Sequence, residues 1–218
     1  MINIGTLELA DAYIGSTPVE KAYISSQLVW EKSSPVLPYD AEIEYLEKGS
    51  GTNSLIDLGT NANAIFEITA QTTRTASSSM TLVNRHSASV GGAWFGVISS
   101  GKWGLTTNAG GYSNVSALNK TDISVDFTVN PVVGTINGNT FSRARGNNNS
   151  HWFLFGSSSN GYPFIGRLYS LKAYIGGKLT FDLIPCRIGD VGYLYNKVSK
   201  SLLGNVNSNP FILGPDVT

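Results

Sequence analysis

Residues 122–129 alternate polar and apolar side chains without a break, which is the pattern of a strand with one buried face. The apolar face carries Ile123, Val125, Phe127 and Val129. Other short apolar runs recur along the chain between Gly, Asn and Ser, and no segment of normal helix length has the period of an amphipathic helix. A chain with 24 glycines and this pattern favours short strands joined by tight turns.

The turn signals predict how these strands are connected. Asn137-Gly138 is the strongest short hairpin signal, and Gly176-Gly177 joins the last two long strands as a tight hairpin. The predicted strands lie within residues 41–46, 55–58, 64–70, 81–83, 93–98, 103–107, 122–129, 135–140, 152–155, 165–175 and 178–185. This number of short strands predicts an all-β fold, a two-sheet sandwich of jelly-roll type.

Composition excludes several classes of function. Net charge is zero and charged residues make up 14% of the chain, against roughly 25% in an average soluble domain. A duplex-binding protein needs clustered Lys and Arg, and the densest basic pair is Arg143 and Arg145 beside an Asn run. No apolar run approaches the roughly 20 residues of a membrane helix. We therefore expect neither nucleic-acid binding nor membrane insertion.

Residues suited to nucleophilic catalysis are few. Cys186 is the only cysteine, so there is no intrachain disulfide, and it is expected to be a small buried hydrophobe. His86 and His151 are the only candidates for a triad base. Both lie in polar surroundings and favour a surface position. We therefore expect a protein that is not an enzyme.

Carboxylates provide the sharper enzyme hypothesis, since glycoside hydrolysis needs two acids roughly 5 to 9.5 Å apart. Glu42 and Glu44 sit on a first strand at the wrong spacing, and Asp122 and Asp126 fall on the polar face of their strand. No cofactor is predicted. A structural calcium ion has no motif to support it, although three carboxylates are available, those of Asp57, Asp182 and Asp190.

The first part of the chain contains an internal repeat. Ala12-Tyr13-Ile14-Gly15-Ser16 is echoed by Ala22-Tyr23-Ile24-Ser25-Ser26, and residues 15–18 read as the clearest turn. We divide the chain into a β-repeat anchor at residues 1–32, a Pro-rich linker at 33–38 and a sandwich domain at 39–218. So short a strip needs a partner to become ordered. The predicted anchor and assembly residues are Ile4, Tyr13, Ile14, Val19, Tyr23, Ile24, Val29 and Trp30.

Aromatic side chains beside Asn, Gly and Ser turns are the usual means of binding carbohydrate. A speculative glycan-binding set follows from this pattern, with the alternative that at least two of its tryptophans belong to the core, because Trp is highly buried on average. The set is Arg85, Trp94, Trp103, Tyr112, His151 and Trp152.

Both ends of the sandwich domain carry a distinctive motif. The opening motif runs from Glu44-Tyr45-Leu46-Glu47 through a glycine-rich turn to Ile56-Asp57-Leu58-Gly59. The closing motif runs from residues 166–174 through Leu183-Ile184-Pro185-Cys186 to residues 192–215. The two motifs in this order resemble those of laminin-G-like, concanavalin A-like jelly rolls. Asn196 stands where the family usually has Asp. The resemblance implies a jelly roll closed by the C-terminal stretch, with Phe211 and Ile212 sealing the last edge, and it does not by itself fix a function.

Residues 13–31 resemble segments at the head of structural proteins of tailed phages that infect gut bacteria. The two resemblances together imply a virion fibre or decoration protein, made in the host cytoplasm without a signal peptide. The implied partners are copies of the chain itself, with a trimer favoured, other virion proteins and host surface glycans. A bacterial carbohydrate-binding module is the alternative, and the lack of a secretion signal argues against it.

Overall fold

The computed structural model describes residues 12–14, 17–19, 21–24, 27–31, 37–73, 80–87, 90–97, 101–106, 112–129, 131–143, 150–156, 163–207 and 209–218. The chain divides into two compact units, residues 1–37 and residues 38–218. None of the described residues lies in a helix. The prediction of an all-β chain is confirmed.

The N-terminal unit contains two antiparallel hairpins within its described residues. They are formed by β1 (Ala12–Ile14) with β2 (Thr17–Val19) and by β3 (Lys21–Ile24) with β4 (Gln27–Glu31). The predicted turn is wrong for Thr17 and Pro18, because both belong to β2 and Pro18 pairs with Tyr13. The predicted anchor residues from Tyr13 to Trp30 lie on these four strands, and Ile4 lies outside the described residues.

The other strands of the described residues lie in the second unit. They are β5 (Ala41–Glu42), β6 (Leu46–Lys48), β7 (Ile56–Asp57), β8 (Ala64–Thr72), β9 (Met80–Ser87), β10 (Val90–Val97), β11 (Lys102–Thr106), β12 (Tyr112–Ser116), β13 (Thr121–Asp126), β14 (Val132–Ile136), β15 (Asn139–Arg143), β16 (Phe153–Leu154), β17 (Gly166–Ile175), β18 (Lys178–Ile188), β19 (Val191–Asn196), β20 (Ser201–Leu203) and β21 (Ile212–Leu213).

The larger sheet has the strand order β15–β14–β13–β8–β17–β18–β19–β20, and β5, β6 and β21 pair alongside it. Strand β13 shows why the alternation was informative, since Ile123 and Val125 are buried while Asp122 and Ser124 are exposed. Ile123 lies opposite Ile68 of β8, so the apolar sides of the two strands share one face. That face forms one wall of the core.

The smaller sheet has the order β12–β11–β10–β9–β16–β7. Its core-facing side chains meet those of the larger sheet directly. Phe95 of β10 stacks at 6.4 Å on Phe141 of β15, and Trp152 contacts Phe66 of β8 at 5.0 Å. All four side chains belong to one buried cluster. The predicted two-sheet β-sandwich is therefore confirmed, and the jelly-roll order of connections stays a prediction.

Both predicted hairpin turns are present. Asn137 and Gly138 have φ values of 46° and 77° between paired strands β14 and β15, and Gly176 and Gly177 have 58° and 77° between β17 and β18. Two successive positive φ values are the geometry of a two-residue hairpin loop whose twist matches the flanking strands. The hairpin signals in the sequence were therefore sufficient to place these connections.

The C-terminal stretch departs from its predicted role in one respect. Leu183 and Phe211 are buried, as expected for the closing segment, but Ile212 is 51% exposed. Strand β21 pairs with β6, with Ile212 opposite Glu47. Ile212 therefore does not seal an edge and stands on the outer face of the larger sheet.

Candidate functional site

Arg85, near the end of β9, is the centre of a polar cluster at one end of the sandwich. Its Nη1 donates to Oδ1 of Asn63 at 2.7 Å, and its Nε donates to the carbonyl of Ser150 at 3.2 Å. The guanidinium lies over the ring of Trp152 at 5.6 Å from the centroid. A guanidinium held by two acceptors and an aromatic ring has a fixed orientation.

His151 forms the second part of this cluster. Its Nδ1 lies 3.1 Å from Oδ2 and 3.2 Å from Oδ1 of Asp57, and the Asp57 carboxylate also accepts the backbone N–H of Gly59 at 2.7 Å. A carboxylate can only accept, so Nδ1 carries the hydrogen and Nε2 faces away from the pair. The His151 side chain is 49% exposed. The imidazole is therefore accessible from solvent and oriented by an acid.

The strand order explains why these distant residues meet. Strand β16 lies between β7 and β9, with Phe153 opposite both Asp57 and Asn84. Of the two residues that precede Phe153, His151 therefore lies beside Asp57 and Trp152 lies beside Arg85. Three members of the predicted glycan set, Arg85, His151 and Trp152, are brought together in this way.

Two tryptophans of the predicted set cannot stack on a sugar. Trp152 is fully buried, with Nε1 donating to the carbonyl of Ala62 at 2.7 Å and its ring 4.6 Å from that of Phe127. Trp103 is also fully buried and stacks on Phe95 at 5.4 Å. Their assignment to glycan binding is wrong, because neither offers a ring face to a ligand. The alternative that at least two tryptophans belong to the core is confirmed.

The remaining aromatic candidates lie on neighbouring strands. Trp94 on β10 is 9% exposed and pairs with Asn84 of β9. Alternation along the strands directs Trp94 and Asn84 away from the core, on the opposite side of the sheet from Phe95. Tyr112 lies on the edge strand β12, and its side chain is outside the described part of the chain. Trp94 therefore lies on the outer side of the smaller sheet, beside Asn84.

Two buried oxygens on this outer side were not predicted from the sequence. Oδ1 of Asn84 and Oγ1 of Thr81 have no hydrogen-bond partner among the described residues, and their side chains are 3% and 1% exposed. Thr81 pairs with Gly96, which itself pairs with Gly104, so a strip without side chains lies beside them. A β-bulge at this point of β9 hides the pattern, because it breaks the alternation that would have placed these residues outward.

Lys48 is a buried amine that the sequence did not identify. The residue is 2% exposed, and its Nζ donates to the carbonyl of Phe155 at 2.9 Å. Burial lowers the pKa of Lys48 to about 8, because the charged form is poorly solvated there. Its position before Gly49 resembles an exposed turn in the sequence. Side chains alternate along β6, however, so Lys48 lies on the same inward face as the fully buried Leu46.

The other residues considered for catalysis are either buried or engaged in hydrogen bonds within the fold. Cys186 is fully buried, as predicted, and burial raises the pKa of its thiol to about 12, with a further increase from Glu42. Asp122 lies on the solvated face of β13, where it accepts a hydrogen bond from Thr69 at 2.6 Å. Glu42 accepts the hydroxyl of Tyr39 at 2.9 Å. His86 lies on β9, and its side chain is outside the described residues.

Neither a metal cluster nor a membrane-spanning helix is found in the described part of the chain. No group of three or more His, Cys, Asp or Glu side chains there could hold an ion, and no helix there is long and apolar enough to cross a bilayer. Of the three carboxylates considered for calcium, that of Asp57 is engaged by His151 and Gly59. The comparison with protein-family models finds no match, and that with curated proteins finds none either.

Proposed function

We propose that this chain is a non-enzymatic structural protein of a phage virion, with an N-terminal unit that anchors it and a sandwich head that binds host surface glycans. The observation that carries the proposal is the division into a small unit of hairpins, residues 1–37, and a large sandwich, residues 38–218. In this proposal the small unit attaches the chain to the particle, and the large unit carries the surface that binds host glycans.

The N-terminal hairpins support the anchoring role on physical grounds. The β1–β2 and β3–β4 sheets have two strands each among the described residues. An isolated two-stranded hairpin is marginally stable in water, because it buries too little apolar surface to offset the entropy of ordering. Packing against sister copies and other virion proteins supplies the missing contacts, and a trimer fits the fibre form of the proposal.

The Arg85 cluster supports glycan binding by the head. It presents the exposed imidazole of His151 beside the planar groups of Arg85, Asp57 and Asn63, all held in place by hydrogen bonds. Oriented donors and acceptors of this kind match sugar hydroxyls. The buried ring of Trp152 packs against the guanidinium of Arg85 and helps to orient it. In this proposal Trp152 does not contact the ligand.

Deletion of residues 1–37 tests the two roles separately. We expect residues 38–218 to remain folded, to lose incorporation into particles and to keep binding on a glycan array. Unfolding of the head without the first unit would contradict the anchor role. Glycan binding by the head, together with a full-length chain that is not incorporated into any particle, would favour the bacterial carbohydrate-binding module instead.

The full-length Arg85→Ala and His151→Ala variants test the surface. We expect each to lose array binding while retaining wild-type secondary structure by circular dichroism. Arg187→Ala is the matched control, because Arg187 is paired with Asp216 on the other sheet and is also accessible. If the wild type binds no glycan on the array, the proposal that the head binds host glycans is overturned. The proposal of a non-adhesive virion protein would then remain.

A further inference from the structure

Two tyrosines on the outer face of the larger sheet form a surface cluster that the proposed function does not use. Tyr45 and Tyr169 meet edge to face with centroids 5.6 Å apart, and both are half-buried. Their chain neighbours Leu46 and Leu168 are fully buried, so the tyrosines stand on the solvent side of the strands. We call this cluster and its rim the tyrosine patch, defined by Glu44, Tyr45, Glu47, Gln71, Leu118, Lys120, Arg167, Tyr169 and Ile212.

The strand register makes the patch continuous. One row crosses four strands, from Gln71 on β8 through Arg167 on β17 and Glu47 on β6 to Ile212 on β21. Gln71 accepts the hydroxyl of Tyr169 at 2.9 Å and donates to the carbonyl of Leu118. The patch therefore extends across the sheet without a gap between its two apolar ends.

Each tyrosine ring carries a cation. The guanidinium of Arg167 lies 4.2 Å from the centroid of Tyr45, and Nζ of Lys120 lies 4.0 Å from that of Tyr169. Arg167 is held by Glu47, with Nε to Oε2 at 2.8 Å. Because their rings already bear cations, the tyrosines offer little free face for a sugar. Tyr and Arg are, in contrast, the side chains most enriched at the energetic centres of protein interfaces.

Two aliphatic side chains at the edge of the patch are exposed. Leu118 is 41% exposed and Ile212 is 51% exposed. An aromatic and arginine centre between two exposed aliphatic side chains is the composition of a protein contact surface.

The charges on the patch indicate which protein fits it. Lys120 and Glu44 form a loose pair at 4.0 Å, with side chains 53% and 49% exposed. A pair this exposed contributes little within one chain, so either charge can exchange partners at little cost. A patch that carries both signs in such an exposed pair is complementary to itself across a two-fold axis.

We propose that the tyrosine patch is a contact surface for a second copy of this chain, related by a two-fold axis that brings Lys120 of each copy to the partner's Glu44. The patch is smaller than the 20 to 30 residues per side of a standard stable interface, so the contact is weak and depends on high local concentration. It is separate from the N-terminal association proposed above, and it would join sandwich heads that belong to different N-terminal assemblies.

Charge reversal in the full-length chain tests this contact. Sedimentation is measured over a concentration series for the wild type, Glu44→Lys, Lys120→Glu and an equimolar mixture of the two variants. We expect the mass of the wild type to rise with concentration above that of either variant, because the contact joins copies that the N-terminal unit does not already hold together. Each reversal places like charges across the axis and should weaken the contact about tenfold or more. The mixture should restore it, because each variant then meets its complement.

Asp190→Lys, an exposed reversal in the turn between β18 and β19, is the matched control and should sediment as the wild type does. Equal sedimentation of the wild type and both variants at every concentration would overturn the proposal. Self-association that neither reversal weakens would place the contact elsewhere and overturn it as well. Lost particle incorporation by the variants, with unchanged sedimentation, would assign the patch to a different virion protein.

Discussion

The Nζ of Lys48 donates to the carbonyl oxygen of Phe155 at 2.9 Å and joins β6 to the end of β16. Phe155 has a positive φ of 68°, an uncommon conformation for a residue with a side chain. The hydrogen bond is buried, and Lys48 has no salt bridge among the described contacts. The amine therefore fixes a strained corner of the chain at the cost of a buried charge.

That burial predicts a pH dependence of stability. The pKa of Lys48 is about 8 in the folded chain, against 10.5 for the ordinary side chain. Between these values the unfolded chain binds more protons, so stability rises with pH across this window. The free energy of unfolding of the wild type, minus that of Lys48→Met, should rise by up to about 3 kcal/mol between pH 8 and pH 10.5. Chemical denaturation of both proteins across the window measures it.

Subtracting the unfolding free energy of Lys48→Met also cancels the effect of two groups whose titration lowers stability as pH rises. Burial raises the pKa of Cys186 to about 12 and also raises the pKa of Tyr39, with a contribution from its hydrogen bond to Glu42. Both groups ionise first in the unfolded chain, so each protein loses stability as pH rises above the unfolded pKa values of these groups. A difference that stays flat from pH 8 to pH 10.5 would show that Lys48 is not buried as described.

Trp152 provides a prediction that separates folding from binding. Its ring packs on Phe66 and Phe127, and its indole N–H is satisfied by Ala62. Trp152→Ala should therefore cost about 3 to 5 kcal/mol of unfolding free energy, measured by denaturant titration. Arg85→Ala should change it by much less, since Arg85 is only partly buried. A Trp152→Ala protein of wild-type stability would contradict its place in the core.

Much of the fold could be predicted from the sequence, because local signals determine it. The alternation of residues 122–129 gave strand β13, although the strand ends at Asp126 and Val129 is exposed. Asn137-Gly138 gave a hairpin because only a few residue types accept two positive φ values. These features depend on neighbours in the chain.

The candidate site could be predicted only in part, because its residues are distant in sequence and the strand order brings them together. Arg85 and His151 were identified as polar residues beside turns, but their proximity depends on β16 lying between β7 and β9. Tyr45 and Tyr169 alternate with buried leucines, so their outward direction was available from the sequence, whereas their contact depends on the register of β6 with β17. Fully buried tryptophans cannot be told from exposed ones by the turns around them.

Asn196 stands where the sequence resemblance predicts Asp, and its contacts favour an amide. The side chain is buried, its Oδ1 accepts the backbone N–H of Asp182 and of Val198 at 3.1 Å, and its Nδ2 donates to the carbonyl of Thr180 at 3.3 Å. Asn196→Asp keeps the acceptor and loses the donor, and it places a carboxylate at a site that is 3% exposed. We expect a loss of about 1 to 3 kcal/mol in unfolding free energy.

The exposed Asn119→Asp variant makes the same chemical change without burial, and its unfolding free energy should stay within about 0.5 kcal/mol of the wild type. If the two variants were equally stable in denaturant titration, the amide of Asn196 would have no structural role that Asp cannot fill.

A substitution at Gly96 tests the strip without side chains that Gly96 and Gly104 form on the outer face of the smaller sheet. A Cβ at this position would overlap the carbonyl oxygen of Met80 and lie 2.8 Å from Cα of Thr81, both of them backbone atoms that cannot rotate away. Gly96→Ala should therefore force β9 and β10 apart and lower the unfolding free energy by at least about 2 kcal/mol. Gly138→Ala is the comparison, because its Cβ would meet no atom within 4 Å and only its φ of 77° is unfavourable. The unfolding free energy of Gly138→Ala should fall by about 1 kcal/mol. An equal fall in both variants would show that the space beside Gly96 is open, contrary to the structure.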